Sequence, residues 1–408
     1  MKYFEMQDSI YTLVKKYPEV KDYLISKGMK QLEDEKNLEN LGKQLSIEML
    51  IFSKSYDQEV FIKELEDYII RHRETADSSL EAKPEQGDKD IFIQGVLPCP
   101  VRIPLLEGFE AWLAQQEKNY QDRIHYELQA ASMGVDWIKE CIVKAKGEDE
   151  LADLFLSAGF DLFFDQRYMG HFKRDKVFQD LIPYESYHHD FQNKEIQMKD
   201  PDGDYSVIGA VPAVFLLNQK ELGEDKGPET WEELLSGNYE NAVSLPVGDF
   251  DLFNAILLNI YVRFGIDGVK QLGKTLMKSM HPSEMVKSGQ RENQPKVTIM
   301  PYFFTKMVRE GGAMRALWPK DGAIISPIFL LCKRSKAKQI QPVVDFLSSK
   351  AVGEILSHNG RFPSMHPEVD NRIPQDRKYM WLGWDFIRNN DLGRIIQECM
   401  DAFEGGIK

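Results

Sequence analysis

The residues of this sequence that could do chemistry follow short apolar runs of the kind that form β-strands. In an open parallel sheet, ligands bind beyond the carboxyl ends of the strands, where helix N-termini offer unpaired N–H groups. The loops after these runs contain a thiol, a guanidinium, a hydroxyl, an amide, a carboxylate and a phenol. We therefore predict a ligand-binding site formed by six residues, namely Cys99, Arg102, Ser132, Gln166, Asp251 and Tyr302.

Cys99 is the most unusual of these residues because prolines fix the backbone on both sides of it. A helix is predicted just after it, and the helix dipole would favour a thiolate that contacts the ligand. A packed turn cysteine is the alternative interpretation. Arg102 lies close by and favours an anionic ligand. An enzyme with Cys99 as its nucleophile also stays open, although no histidine or carboxylate lies near it in sequence to act as the base.

The phrase ESYHHDF is the most metal-like cluster in the sequence, because two histidines stand beside acidic residues. His188 and His189 are flanked by Glu185 and Asp190. Adjacent side chains of a strand point to opposite faces, which favours a surface loop over a metal site. The sequence therefore leaves both a bound metal and a cofactor unknown.

Motifs and charge argue against several other functions. The chain has no GxxxxGK[ST], HExxH or GxSxG motif, so ATP hydrolysis, zinc proteolysis and serine hydrolysis lack their usual sequence support. Its 65 acidic residues outnumber 51 basic ones and give a formal net charge of −14. A nucleic-acid partner is therefore not expected.

The four cysteines are widely spaced and form no CxxC pair, which predicts free thiols. Glu5 and Asp8 interrupt the apolar stretch that a secretory signal would need near the start of the sequence. The apolar runs fall short of the roughly 20 residues of a spanning helix. These features predict a cytoplasmic protein that is not embedded in a membrane.

Hydrophobic periodicity divides the chain into two parts. Apolar residues recur at helical spacing up to about residue 72, which predicts a small all-α domain over residues 1–75. Residues 76–90 are mostly polar and contain proline and glycine, as flexible linkers do. With 408 residues, the chain exceeds what one hydrophobic core usually supports.

Beyond the linker, strand-like runs alternate with helical segments, and this alternation predicts an α/β fold with parallel sheets wrapped by helices. The strand-like runs, in order, are DIFIQGVL, IHYELQAA, FDLFFD, YSVIGAVPAVFLLN, AVSLPV, VTIMPYF and AIISPIFLLCK. The longest of them would suit a strand that crosses between two lobes. We expect lobe 1 to include about residues 91–212 and 320–408, and lobe 2 about residues 213–319.

Three phrases, in this order, carry a resemblance to a known family: GPETWEELLSGNY, PKDGAIISPIFLLCK followed by VVDFLSSKAVGEIL, and GRFP. By their order and spacing, residues from about 90 to 408 resemble the type II periplasmic binding protein superfamily, particularly receptors of iron and polyamine transporters. The resemblance implies a two-lobed fold and a receptor that captures a small anionic or metal-containing ligand in the cleft between its lobes. Such a receptor would serve here as a cytoplasmic sensor, carrier or transporter-related binding protein.

The same resemblance gives roles to two further parts of the chain. It implies that Tyr302 could offer a phenolate to ferric iron, but the adjacent tyrosines usual in ferric receptors are missing, which puts bare iron in doubt. The N-terminal phrase YTLVKKYPEVKDYLISKGM resembles a small helical domain found near hybrid-cluster and iron–sulfur repair proteins. A protein partner bound through this domain is therefore expected.

Overall fold

The structure is a computed structural model whose described part consists of three stretches. These are residues 4 to 73 except 5, 18, 28, 55 and 57, residues 90 to 279 except 132–134, 161, 248 and 249, and residues 294 to 407 except 310. The chain divides into two compact units, Met1–Lys83 and Pro84–Lys408.

The first unit is helical in its described residues. Its helices are α1 (Ile10–Lys16), α2 (Glu19–Ser26), α3 (Glu35–Gln44), α4 (Ile47–Lys54) and α5 (Gln58–Arg73). Ser9 and Asp34 begin α1 and α3 by accepting hydrogen bonds from backbone N–H groups three residues ahead. The apolar residues predicted to line one helical face are buried in a core of their own, among them Ile10, Leu13 and Leu24.

The described residues of the second unit form ten strands in one sheet. The strands are β1 (Ile91–Leu97), β2 (Ile124–Ala130), β3 (Leu154–Ala158), β4 (Tyr205–Asn218), β5 (Val243–Leu245), β6 (Leu276–Ser279), β7 (Val297–Pro301), β8 (Met314–Leu317), β9 (Ala323–Cys332) and β10 (Tyr379–Met380). Their order is β2-β1-β3-β9-β4-β7-β5-β6, with β10 beside β9 and β8 beside β4. The fold is therefore α/β, as the alternation predicts. The sheet is mixed rather than parallel, because β9 pairs antiparallel with β3 and β4, and β4 pairs antiparallel with β7.

Two long strands join the halves of this sheet. The first part of β4 pairs antiparallel with β9, and its last residues pair with β7 and β8. Along its other edge β9 pairs with β3, next to the parallel strands β1 and β2. All residues of β4 and β9 are buried. These strands connect the β1–β3 half to the β5–β7 half, as crossover strands of a two-lobed fold do.

Helices cover the sheet. They are α6 (Arg102–Leu113), α7 (Lys118–Arg123), α8 (Asp136–Lys144), α9 (Gln166–Arg174), α10 (Gln219–Leu222), α11 (Trp231–Leu234), α12 (Phe250–Thr275), α13 (Ala337–Leu347), α14 (Lys350–Glu354), α15 (Trp384–Asn389) and α16 (Leu392–Gly406). Thr230 caps α11 by accepting from the Glu233 N–H, as its position at the start of the TWEELL segment predicts. Ser349 begins α14 by accepting from the Val352 N–H, so α13 and α14 are separate helices.

One predicted strand is wrong. The run FDLFFD contains a 3₁₀ turn over Leu162–Phe164, and β3 lies before it at Leu154–Ala158. Gly159 follows β3 with a φ of 89°, a left-handed conformation that ends an extended strand. The aromatic side chains that suggested a strand are instead buried in the core.

By length and composition, the segment Leu252–Thr275 of α12 could cross a membrane, but 61% of its most apolar stretch is buried inside the protein. Gly265 also interrupts the helix, with φ 68° and ψ −172°. Only glycine adopts this conformation readily. The segment is a pair of core helices in this fold.

Candidate functional site

A pocket of ≈ 500 Å³ opens next to the carboxyl end of β7. Tyr302 follows β7 directly and begins a 3₁₀ turn over Tyr302–Met307. The wall of the pocket also includes Thr305 of this turn, Trp318 at the end of β8, and residues of the segment that leads towards β10. The site therefore lies where a sheet of this kind places its ligand.

The pocket is basic. Four arginines line it, Arg309, Arg315, Arg361 and Arg377, and no aspartate or glutamate is among the described residues of its wall. The whole chain carries a net charge of −14, so this concentration of positive charge is local. A positive cleft in an acidic protein attracts and retains anions.

Arg361 and Tyr302 form the centre of the wall. The guanidinium carbon of Arg361 lies 5.2 Å from the centre of the Tyr302 ring, within the range of a cation–π contact. Arg361 also donates a hydrogen bond to the Thr305 hydroxyl, and that hydroxyl donates to the Tyr302 carbonyl over 2.6 Å. The ring of Trp318 meets the edge of Tyr302 with centroids 5.2 Å apart. These contacts fix the guanidinium before a ligand arrives.

The backbone of Arg361 has an unusual conformation. Its φ is 50°, in the left-handed region that non-glycine residues seldom adopt. The preceding residue, Gly360, packs so closely on the turn after β1 that a Cβ there would lie 2.5 Å from Val101 Cγ1. Arg361 is thus held between the loop after β1 and the turn after β7.

Lys306 adds to the positive charge near the pocket. Its ammonium donates to the carbonyls of His358 and Asn359 over 2.9 and 2.5 Å. Burial, and then the charges of Arg361 and Arg372, lower the pKa of Lys306 below its ordinary value. The lowered pKa reflects burial first and the neighbouring cations second, and a bound anion would stabilise these positive charges.

A chain of aromatic rings leads away from the pocket. Trp318 contacts Tyr379 with ring centroids 5.4 Å apart, and Tyr379 contacts Phe191 at 4.7 Å. The Tyr379 hydroxyl is buried and has no hydrogen-bond partner among the described residues. Its burial, and then the charge of nearby Asp190, raise the pKa of Tyr379.

The histidine pair lies at the end of this aromatic chain. The Phe191 N–H donates to the His188 carbonyl over 2.8 Å, which closes a turn. His188 Nδ1 lies 3.3 Å and His189 Nε2 3.2 Å from oxygens of Asp190. The expectation that neighbouring histidines point apart holds for a strand, whereas here a turn brings them together.

The structure brings one of the six predicted site residues into the pocket. Tyr302 lines it, whereas Arg102 is buried at the start of α6 and is not among the described residues of the wall. Gln166 begins α9 and donates to the Asn390 carbonyl over 3.1 Å. Ser132 and the side chains of Cys99 and Asp251 lie outside the described residues. Of the cysteines, Cys141, Cys332 and Cys399 are free thiols, as predicted.

Sequence reasoning missed Arg361, Thr305 and Trp318 as site residues. Arg361 belongs to the GRFP phrase, which served only as a family signature. A single arginine in a loop carries no spacing signal, and its partners lie in other elements. Only its unusual conformation sets it apart, and that is visible in the folded chain alone.

The crossover strands and the pocket define a two-lobed α/β binding protein. The family described as "Bacterial extracellular solute-binding protein" matches residues 149–390, more than half of the chain, and the chain belongs to this family. Residues 5–62 match a domain of unknown function, DUF1858. No curated protein matches the chain.

Solved structures share the fold at low sequence identity. One is the substrate binding protein of an ABC transporter from Agrobacterium tumefaciens, with TM-score 0.52, 15% identity and coverage of 78% of this chain and 95% of that one. The ferric binding protein from Campylobacter jejuni has TM-score 0.52, 12% identity and coverage of 78% and 99%. The periplasmic binding protein AfuA from Actinobacillus pleuropneumoniae, with exogenous fructose-6-phosphate bound, has TM-score 0.51, 14% identity and coverage of 78% and 99%.

The predicted cytoplasmic location is wrong. The family is described as extracellular, and proteins of similar structure are named periplasmic binding proteins. Glu5 and Asp8 exclude an apolar segment at their own positions only. Those two residues therefore do not establish where the folded protein acts.

Proposed function

We propose that the pocket beside Tyr302 captures a small anionic solute and that this chain is the receptor for it. The single observation that carries the proposal is the wall itself, with four arginines and no carboxylate among its described residues. Arginine presents a planar fork of N–H donors that matches carboxylate and phosphate oxygens in pairs. The ligand chemistry we infer is therefore that of an oxyanion.

The size and the composition of the pocket support an organic anion. A volume of ≈ 500 Å³ lies within the range of sites for small molecules. Tyr302 and Trp318 offer apolar ring surface next to the guanidinium groups, which suits a ligand with a carbon skeleton. Fructose-6-phosphate, named in the AfuA structure, combines these features and is the probe we choose first.

Arg361 is the residue on which binding depends most in this proposal. No carboxylate of the described residues lies within ion-pair distance of Arg361, so its charge is available to a ligand. The Thr305 hydroxyl and the Tyr302 ring hold it in place. Little side-chain entropy would therefore be lost on binding.

The test is calorimetry with fructose-6-phosphate, inorganic phosphate and small dicarboxylates. Arg361→Ala should weaken the best of these ligands by about 1.5–3 kcal/mol, the scale of a hydrogen bond to a charged group. Arg394→Ala is the matched control, because Arg394 is exposed on α16 and pairs with Glu398. If Arg361→Ala keeps its fold and binds the ligand as tightly as the wild type does, the pocket is not the solute-binding site.

We propose a separate role for the helical unit, namely recruitment of a protein partner. The resemblance to domains near hybrid-cluster and iron–sulfur repair proteins supports a partner in iron or redox metabolism. Three large apolar side chains of α3 and α4 are exposed, Leu41 at 46%, Met49 at 56% and Phe52 at 87%. Apolar groups in water are typical of surfaces that bind other proteins.

A further inference from the structure

We propose that His188, His189 and Asp190 bind a divalent transition metal ion of the zinc type. This inference does not depend on the proposed solute, because none of the three residues is among those that line the pocket. One ligand atom from each residue can be chosen so that all three lie within 4.8 Å of one another. Such convergence of three consecutive side chains is a product of the turn that the Phe191 N–H closes on the His188 carbonyl.

The separations between ligand atoms fit one ion. In a tetrahedral site with metal–ligand distances of about 2.0–2.1 Å, neighbouring ligand atoms lie about 3.3 Å apart. His188 Nδ1 lies 3.3 Å from one carboxylate oxygen of Asp190, and His189 Nε2 lies 3.2 Å from the other carboxylate oxygen. A small movement of the side chains would therefore complete the coordination.

The hydrogen bonding of His188 also favours a cation. Its Nδ1 lies 3.3 Å from the Asp190 N–H, which requires a lone pair on the nitrogen, and 3.3 Å from the Asp190 carboxylate, which requires a proton. A neutral ring satisfies only one of these partners. In the tautomer that keeps the Nδ1 lone pair, a cation that replaces the N–H contact would remove the repulsion between this nitrogen and the carboxylate.

The ligand types decide the class of metal. Two imidazole nitrogens and one carboxylate suit zinc, iron(II) and their neighbours, whereas calcium and magnesium take oxygen ligands. His188 is buried at 7% exposure, while the His189 side chain is 72% exposed. The remaining coordination position therefore faces solvent, where water or an exchangeable ligand can bind.

The test uses the full chain carrying Cys141→Ser, because the exposed thiol of Cys141 is a competing zinc ligand. After treatment with EDTA and dialysis, zinc affinity is measured by competition with a chromophoric chelator. We expect one tight site, weakened at least about 100-fold by His189→Ala, since loss of a ligand exceeds the 10–100-fold effect of losing a second-shell partner. His171→Ala, on the exposed surface of α9, is the control and should bind as the parent does.

His189 is exposed, so its removal does not threaten the fold, and Asp190→Asn removes the negative charge with little change of shape. Both variants should lose zinc and keep the circular dichroism spectrum of the parent. The proposal is overturned if the parent shows no tight zinc site, or if His189→Ala and Asp190→Asn bind zinc as tightly as the parent. Failure here leaves anion binding at Arg361 unaffected, since that test contains no metal.

Discussion

At the scale of residues, polar groups in this protein are stabilised by a few contacts that lie far apart in sequence. Arg361 is positioned by Thr305 and Tyr302, which belong to another element. Lys333, part of the longest basic cluster in the sequence, is buried and lies 2.9 Å from Asp153. The charge of Lys333 is therefore compensated only in the folded state.

Lys333→Met should destabilise the protein by about 3–5 kcal/mol, because removing one partner leaves a buried charge uncompensated. The ammonium also donates to the Leu151 carbonyl over 2.8 Å, and Asp153 accepts from the Phe92 N–H over 2.9 Å. The measurement is urea unfolding at neutral pH. Lys338→Met, at an exposed position on α13, should change stability by less than about 0.5 kcal/mol. Equal urea midpoints for both variants would show that the ion pair contributes less to the free energy of unfolding than we expect.

At the scale of elements, β4 and β9 join the two halves of the sheet. Both strands are buried along their whole length and pair with each other. In addition, β9 pairs with β3 in one half, and β4 pairs with β7 in the other. Segments of this kind act as hinges when two lobes close on a ligand.

We expect a saturating anionic ligand to reduce the radius of gyration of the chain, because closure adds contacts that neither half-site supplies alone. Small-angle X-ray scattering with and without the best ligand from calorimetry measures this. Tyr302→Ala should weaken compaction more than it weakens the initial encounter with the ligand. Identical scattering profiles for the free and the saturated wild type would exclude closure as the mechanism.

At the scale of the whole molecule, the chain consists of two compact units, each with its own apolar core. The cores of the two units share no residue. Compact units with separate cores usually fold independently. The boundary near residues 76–90 and the lobe limits near residues 212 and 320 stay predictions.

Limited proteolysis should first cut the chain between residues 74 and 90, because the polar residues there offer little apolar surface to bury. The larger fragment should then bind the anionic ligand with unchanged affinity, measured by calorimetry after purification. First cleavage inside residues 91–408, with residues 74–90 intact, would contradict the independent units. Loss of binding by a folded fragment would show that the helical unit contributes to the solute site.

The amino-acid sequence by itself determined most of the elements, because their signals are local. Helical spacing marked the core of the first unit, Thr230 marked the start of α11, and the longest apolar run marked β4 with the observed ends. Tyr302 was predictable as a site residue because it follows a strand. The prediction of a strand over FDLFFD was wrong because aromatic side chains can be buried equally well in a turn.

Only the tertiary structure decided which loops meet. The pairing of β4 with β7, β8 and β9 brings Tyr302, Trp318 and Arg361 to one wall, although local spacing relates none of them. The same holds for His188, His189 and Asp190, whose convergence depends on backbone torsions of a turn. Periodicity reports which face of an element is apolar, whereas a binding site depends on long-range contacts and on conformations such as that of Arg361, which the completed fold imposes.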